Sequence, residues 1–211
     1  MDKIKKAFYE IQASGIIEKL KLRKMEGYYC SSIEEAKKKI LELVGEERKT
    51  IGFGGSKTID DNGIKELLSE KGHELIIQKY HEPDKIRECK SRIVNADFFM
   101  MSTNAITLDG ELVNIDGRGN RVSYMIYGPE NVIIVAGMNK VVKDVEEGID
   151  RVHNMAAPPN CIRLNVDSPC AKTGRCGNCL NNTICCETVI TRCSRVPDRI
   201  KVILVGEDLG Y

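Results

Sequence analysis

The sequence predicts an α/β protein built on a mainly parallel sheet, and three observations predict it. Short apolar runs bounded by turn residues alternate with segments of helical periodicity, the order in which a parallel sheet acquires its covering helices. Two of those runs, Asp97–Ser102 and Asn131–Ala136, are strongly apolar, as strands covered on both faces must be. The chain has 211 residues, 42% of them hydrophobic, enough for one domain with a substantial core and short for two.

From the N-terminus, Ile4, Phe8, Ile11, Ile16 and Leu20 recur at helical spacing and predict a helix over 3–24 with lysines on its other face. Tyr28-Tyr29-Cys30 reads as a short extended piece. Ser32 with Glu35 makes a capping box opening a helix to Val44, closed by Gly45. Strand and helix then alternate: strand Thr50–Phe53, helix Ile59–Lys71, strand Glu74–Gln78, helix Asp84–Val94 and strand Asp97–Ser102. A polar, glycine-rich stretch from Thr103 to Asn120 follows. Val122–Tyr127 is expected to be helical, Asn131–Ala136 a strand, Val142–Met155 a helix and Arg199–Val205 a last strand. Composition shifts once, after Ala156-Ala157-Pro158-Pro159. The expectation is a single domain over 1–211, with 160–193 a cysteine-rich, metal-binding insertion before the final strand.

Charge narrows the function classes. With 32 basic against 31 acidic residues the formal net charge is +1, which gives no electrostatic reason to expect nucleic acid or an anionic membrane as partner. No apolar run approaches the ~20 residues that cross a bilayer. The N-terminus lacks a signal peptide's apolar stretch, so the expected compartment is the cytoplasm.

Nine cysteines fall unevenly. Cys30 and Cys89 stand apart and read as ordinary thiols, and the others lie between Cys161 and Cys193. An odd number in a chain without an export signal argues against a disulfide framework. Cys170, Cys176, Cys179 and the pair Cys185-Cys186 have the spacing C-x5-C-x2-C-x5-C-C. Cys176 and Cys179 can hold one metal from a single tight turn, and Gly174 and Gly177 let the backbone fold around it. Cys170 and one of Cys185 or Cys186 would complete four thiolates, with Cys161 and Cys193 as weaker candidates. Structural zinc usually uses two short knuckles and only one exists here. An iron–sulfur cluster tolerates uneven spacing and is favoured, with zinc or merely reduced thiols as the alternatives.

Three polar loops leave apolar strands. Gly52-Phe53-Gly54-Gly55-Ser56-Lys57-Thr58 runs from strand to helix. Glycines allow close backbone approach to a ligand, although the pattern is neither G-x-G-x-x-G nor a P-loop. Ser102-Thr103-Asn104 and Asn139-Lys140 also follow strand ends, where open α/β sheets place their ligand crevice. Asn104, Asp116, Asn120, Arg121 and Lys140 could converge there on a small anionic metabolite. In this reading Arg121 holds a carboxylate or phosphate, Lys140 adds charge and Asp116 moves a proton. The bland alternative is that Arg121 and Asp116 pair to brace the loop. His73, His81 and His153 stand in no motif and read as structural or surface residues.

Taken together, Gly54-Gly55-Ser56, Thr103-Asn104-Ala105-Ile106-Thr107, the block from Asn114 to Val122 containing Asn120-Arg121-Val122, Gly128-Pro129 and Val135 to Lys140 resemble the LUD (lactate-utilisation domain) family. The cysteine segment is similar to that of a single-domain branch of the family. The resemblance implies a three-layer fold like that of ribose-5-phosphate isomerase, glucosamine-6-phosphate deaminase and coenzyme A transferases, relatives that bind phosphate or coenzyme A at glycine-rich strand ends. It implies a cytoplasmic, redox-linked role in lactate or related hydroxyacid metabolism, with an iron–sulfur cluster of the 4Fe-4S type and an electron-transfer protein as partner. Ile184-Cys185 aligns with the family pattern, which selects Cys185 with Cys170, Cys176 and Cys179 as ligands. Two other outcomes stay open: an isomerase- or transferase-like enzyme with a structural metal, and a non-catalytic sensor or subunit.

Overall fold

The computed structural model describes residues 2–78 and 83–211. In chain order the strands are β1 (Glu26–Cys30), β2 (Thr50–Phe53), β3 (Glu74–Ile76), β4 (Phe98–Met101), β5 (Ala105–Thr107), β6 (Leu112–Asp116), β7 (Asn131–Gly137), β8 (Val141–Val142), β9 (Glu187–Thr191) and β10 (Ile200–Val205). The helices are α1 (Lys3–Leu22), α2 (Ile33–Val44), α3 (Lys57–Asp60), α4 (Ile64–Glu70), α5 (Pro83–Val94), α6 (Asn120–Tyr127), α7 (Val145–Arg151), α8 (Ala157–Arg163) and α9 (Pro169–Thr173).

Six strands form one sheet in the order β1-β10-β7-β4-β2-β3, and every neighbouring pair is parallel. Alternate side chains of a strand point to opposite faces, and β7 shows the consequence. Val132, Ile134 and Ala136 enter a core shared with Ile16 and Leu20 of α1, Ile93 of α5 and Met125 of α6. Ile133 and Val135 enter a second core with Ala36 and Ile40 of α2, Ile59 of α3 and Leu68 of α4. The result is a three-layer α/β structure around a central parallel sheet. Each fully buried large side chain contributes roughly 1.5–3 kcal/mol.

A smaller sheet, β8-β5-β6-β9, stands against this body. The polar, glycine-rich stretch 103–120, whose turn-favouring residues suit a hairpin with ordinary turn chemistry, carries its β5 and β6, an antiparallel pair. β9, within the cysteine-rich region, extends β6 on its other side, while β10 sits between β1 and β7 in the main sheet.

Other differences have local causes. The helix expected over 59–71 breaks because Gly63 adopts a left-handed conformation at φ 66°. The helix expected from Val142 starts at Val145, since Val142 pairs in β8 and Asp144 caps the helix by accepting from the Glu147 amide. The two prolines do not end it. A π-helical turn, Val152–Ala156, leads into α8, whose first turn holds Pro158 and Pro159, where no amide is needed. In α1 the buried face is Tyr9, Ala13, Ile16 and Leu20, whereas Ile4, Phe8 and Ile11 are exposed. His73 is buried and accepts from the Lys49 amide; His81 lies outside the described residues. Among the described residues no helix is long and apolar enough to cross a membrane.

Candidate functional site

Because β2, β4 and β7 are parallel neighbours, the segments leaving Phe53, Met101 and Gly137 emerge on one edge of the sheet. A cleft of about 610 Å³ opens there. Gly54, Gly55, Ser56, Asn104, Asp116, Asn120, Arg121 and Lys140 all line it, so the structure brings together the eight non-cysteine residues singled out from the sequence. Two glycines serve different ends. A Cβ on Gly54 would lie 2.7 Å from Arg121 Cγ, so the loop needs glycine to pass the arginine; one on Gly55 would meet nothing within 4 Å. The helix following the loop, α3, is only four residues long, too short to supply much of a dipole to an anion.

Arg121 and Asp116 are both buried, and they face each other. Arg121 Nε donates to Asp116 Oδ1 at 2.9 Å, and the Val122 amide donates to Oδ2 at 3.1 Å. Nη1 donates to the Ser102 carbonyl and Asn114 Oδ1, and Nη2 to Asn104 Oδ1 and the Ile115 carbonyl. Each of the guanidinium's five N–H groups thus has a protein partner. In this arrangement the two brace the start of α6 against β6 and the Ser102–Asn104 segment, the geometry of the bland alternative to a ligand clasp and a proton shuttle.

Lys140 is different. It follows β7 in a short 3-10 turn, is 4% exposed, and its Nζ lies 3.0 Å from Thr58 Oγ1 and 2.9 Å from Ser102 Oγ. Both hydroxyls donate their own protons to carbonyls, Thr58 to Leu209 and Ser102 to Thr103. They therefore serve the lysine as acceptors, and among the described residues no carboxylate pairs with it. Burial, with Arg151 and Arg121 nearby, pushes its pKa down to about 7. Arg151, also buried, ties the loops together by donating to the carbonyls of Asn139 and Asn104. The lining carries six basic side chains (Lys57, Lys65, Arg118, Arg121, Lys140, Arg163) against one carboxylate, Asp116. Such a cleft favours anions.

The thiols gather beside it. Cys185 lines the cleft. Burial, reinforced by Cys161, Cys170, Cys176 and Cys179, pushes the Cys185 thiol up to about 11. Cys161 and Cys170 bring their sulfurs to 3.7 Å, close to the ~3.8 Å of two thiolates sharing a tetrahedral ion with bonds of ~2.3 Å. The Asn178 amide donates to Cys176 Sγ at 3.4 Å. Among the described residues, however, no three His, Cys, Asp or Glu side chains converge closely enough to hold a metal ion. The donor set suits soft-metal chemistry in type and neighbourhood; loading requires the sulfurs to draw together. Cys186 and Cys193 are exposed, Cys30 is buried and Cys89 half-buried.

Over residues 13–205 the chain matches the family model described as the LUD domain. It belongs to the LUD domain family. A DUF162 family protein from Deinococcus radiodurans has a similar structure, with a TM-score of 0.53, 18% identity, and 95% of this chain and 98% of that one covered. At that identity the likeness concerns the fold alone. Ribose 5-phosphate isomerase A from Neisseria gonorrhoeae matches over 52% of each chain at 15% identity and a TM-score of 0.34, too partial to bear on fold or function. No curated protein matches the sequence.

Two polar residues lining this LUD domain's cleft, Thr58 and Ser102, and Arg151, which ties its loops from behind, carried no site signal in the sequence. Thr58 sits in the first turn of a helix, Ser102 at a strand end and Arg151 on an amphipathic helix, ordinary positions that carry no pattern of their own. Their burial is the signal, and burial of a lone polar residue is not readable from spacing.

Proposed function

We propose that this LUD-domain protein has a redox-linked role in hydroxyacid metabolism, of which lactate is the type substrate. It binds the small carboxylate in the cleft and a 4Fe-4S cluster on Cys170, Cys176, Cys179 and Cys185. The observation that carries the reading is shared geometry: Cys185 belongs at once to the thiol group and to the lining of the cleft that also holds the buried Lys140. When bound, the cluster, each of its irons held by one of the four cysteines, would supply electron transfer. The bound carboxylate supplies the counter-charge that favours the ammonium form of Lys140, Thr58 and Ser102 orient the amine, and the Arg121–Asp116 pair holds the walls in place. Electrons would leave to a separate electron-transfer protein.

The test is anaerobic purification followed by iron, zinc and acid-labile sulfide analysis and a visible spectrum, before and after adding L-lactate or D-lactate. Iron and sulfide in cluster proportion, a charge-transfer band that lactate perturbs, and loss of iron in Cys176→Ser are the expected results. Stoichiometric zinc with no iron would overturn the redox reading and favour an isomerase- or transferase-like enzyme with a structural metal.

A further inference from the structure

Lys140 has a property that carboxylate binding leaves unused. Its Nζ is held by two hydroxyl oxygens, those of Thr58 and Ser102, whose protons are committed to the Leu209 and Thr103 carbonyls. A neutral amine satisfies both oxygens with its two N–H groups and keeps a lone pair. An ammonium would carry a third N–H and a buried charge facing further cations. Among the described residues the charges that act on it are the cations Arg151 and Arg121, and the carboxylate side chain of the lining, Asp116, is engaged by Arg121 and the Val122 amide. Buried amines without a counter-charge, in a cleft that admits small molecules, are the type that reacts with carbonyl carbon.

The geometry points to Lys140 as a nucleophile that forms an imine with small 2-oxoacids, the oxidised counterparts of 2-hydroxyacids. The inference rests on the anion-binding reading of the cleft but not on the metal. In the step, the Nζ lone pair attacks the C2 carbonyl carbon and a C–N bond forms. The two protons that the nitrogen gives up pass to the carbonyl oxygen, which leaves as water, and a C=N bond remains. The substrate carboxylate takes the place of a counter-ion in the cation-lined cleft. No oxidant or reductant is consumed.

The experiment incubates the metal-loaded protein with pyruvate, and separately with glyoxylate, and adds sodium borohydride, whose hydride reduces the C=N bond to a stable secondary amine. Peptide mass spectrometry then locates the label. Labelling of Lys140 ahead of every surface lysine, saturating at one group per chain and suppressed by oxalate, is expected, with no label in Lys140→Met. Label distributed over exposed lysines, or absent from Lys140, overturns the inference. Calorimetric titration with oxalate, an anion without a reactive carbonyl, separates the two readings. Oxalate binding without Lys140 labelling ends the imine proposal and leaves the anion site standing; no oxalate binding and no labelling ends both.

Discussion

Replacing Lys140 with methionine removes an amine that folding places in a site hostile to charge, and the energetic consequence follows from the two pKa values. The amine falls from 10.5 in the unfolded chain to about 7 in the native one, through burial first and then Arg151 and Arg121. A displacement of that size is about 5 kcal/mol against the charged form. Relaxation and water entering the cleft reduce it, and methionine forgoes two N–H···O bonds at about 1 kcal/mol each. A net stabilisation of about 1–3 kcal/mol near neutral pH is therefore expected for Lys140→Met without ligand. The sign with pH is fixed by linkage. Between pH 7 and 10.5 the unfolded chain binds the proton that the native chain has released, so the lysine's penalty is complete below pH 7 and fades as pH rises. Raised thiols such as Cys185 act in the opposite sense at alkaline pH, so the informative quantity is the difference between wild type and variant. Urea denaturation followed by circular dichroism from pH 6 to 10, in phosphate-free buffer, measures it. The variant's advantage should shrink with pH and turn into a deficit near pH 10, where only the lost hydrogen bonds remain. A variant less stable than wild type by a constant amount at every pH would refute the reasoning, because it would mean the lysine stays charged and is neutralised by the protein.

Arg121→Lys should cost about 2–4 kcal/mol of stability, since one ammonium cannot replace a guanidinium bonded to Asp116, Asn114, Asn104 and two carbonyls. Thermal unfolding reads the loss, and oxalate affinity of the folded fraction should be unchanged; a stable variant with weakened affinity would restore the arginine as a ligand group. Gly55→Ala has the opposite signature: an added Cβ meets nothing within 4 Å, so stability should stay within about 0.5 kcal/mol of wild type or rise slightly. Oxalate affinity, by calorimetry, should fall as the methyl group occupies ligand space, and unchanged affinity would remove Gly55 from the site.

The central sheet was legible because its strands are buried on both faces. Phe98–Met101 and Val132–Ala136 have no polar residue to conceal, and crossover helices announce parallel pairing. Of the second sheet only the β5–β6 hairpin was legible, from its turn residues. β5 is three residues long, β6 carries Asn114 and Asp116, and the intervening turn chemistry dominates the local pattern, while tertiary burial alone makes them strands. β9 is polar and mostly exposed, so nothing in its composition separates it from loop. The site shows the same division. Parallel topology told which loops share an edge, and so which polar residues gather. It could not tell whether a gathered polar group meets a ligand or another side chain. Arg121 and Asp116 found each other; Lys140 found hydroxyls and no acid. That difference depends on Asp116 accepting from the Val122 amide at the start of α6, a contact set by chain geometry rather than by residue type.

The cysteine segment and the cleft are mechanically one device. β9 is zipped to β6 from Glu187–Asp116 to Thr191–Leu112, and the Cys186 amide donates to the Asp116 carbonyl at 2.9 Å. Ile184 passes so near Gly117 that an added Cβ would lie 3.3 Å from its carbonyl oxygen. Residues 184–187 therefore hold the strand whose last side chain braces Arg121, and Arg121 in turn holds Ser102, one of the two oxygens that position Lys140. Drawing Cys185 toward other thiols places a load on this chain of contacts, and a ligand that orders Lys140 places a load on it from the other end. If metal loading at the thiols changes the affinity of the cleft for oxalate, linkage requires oxalate to change metal affinity by the same factor, and calorimetry of the loaded and metal-free protein measures it; equal oxalate affinity in the two forms would show that these contacts carry no coupling.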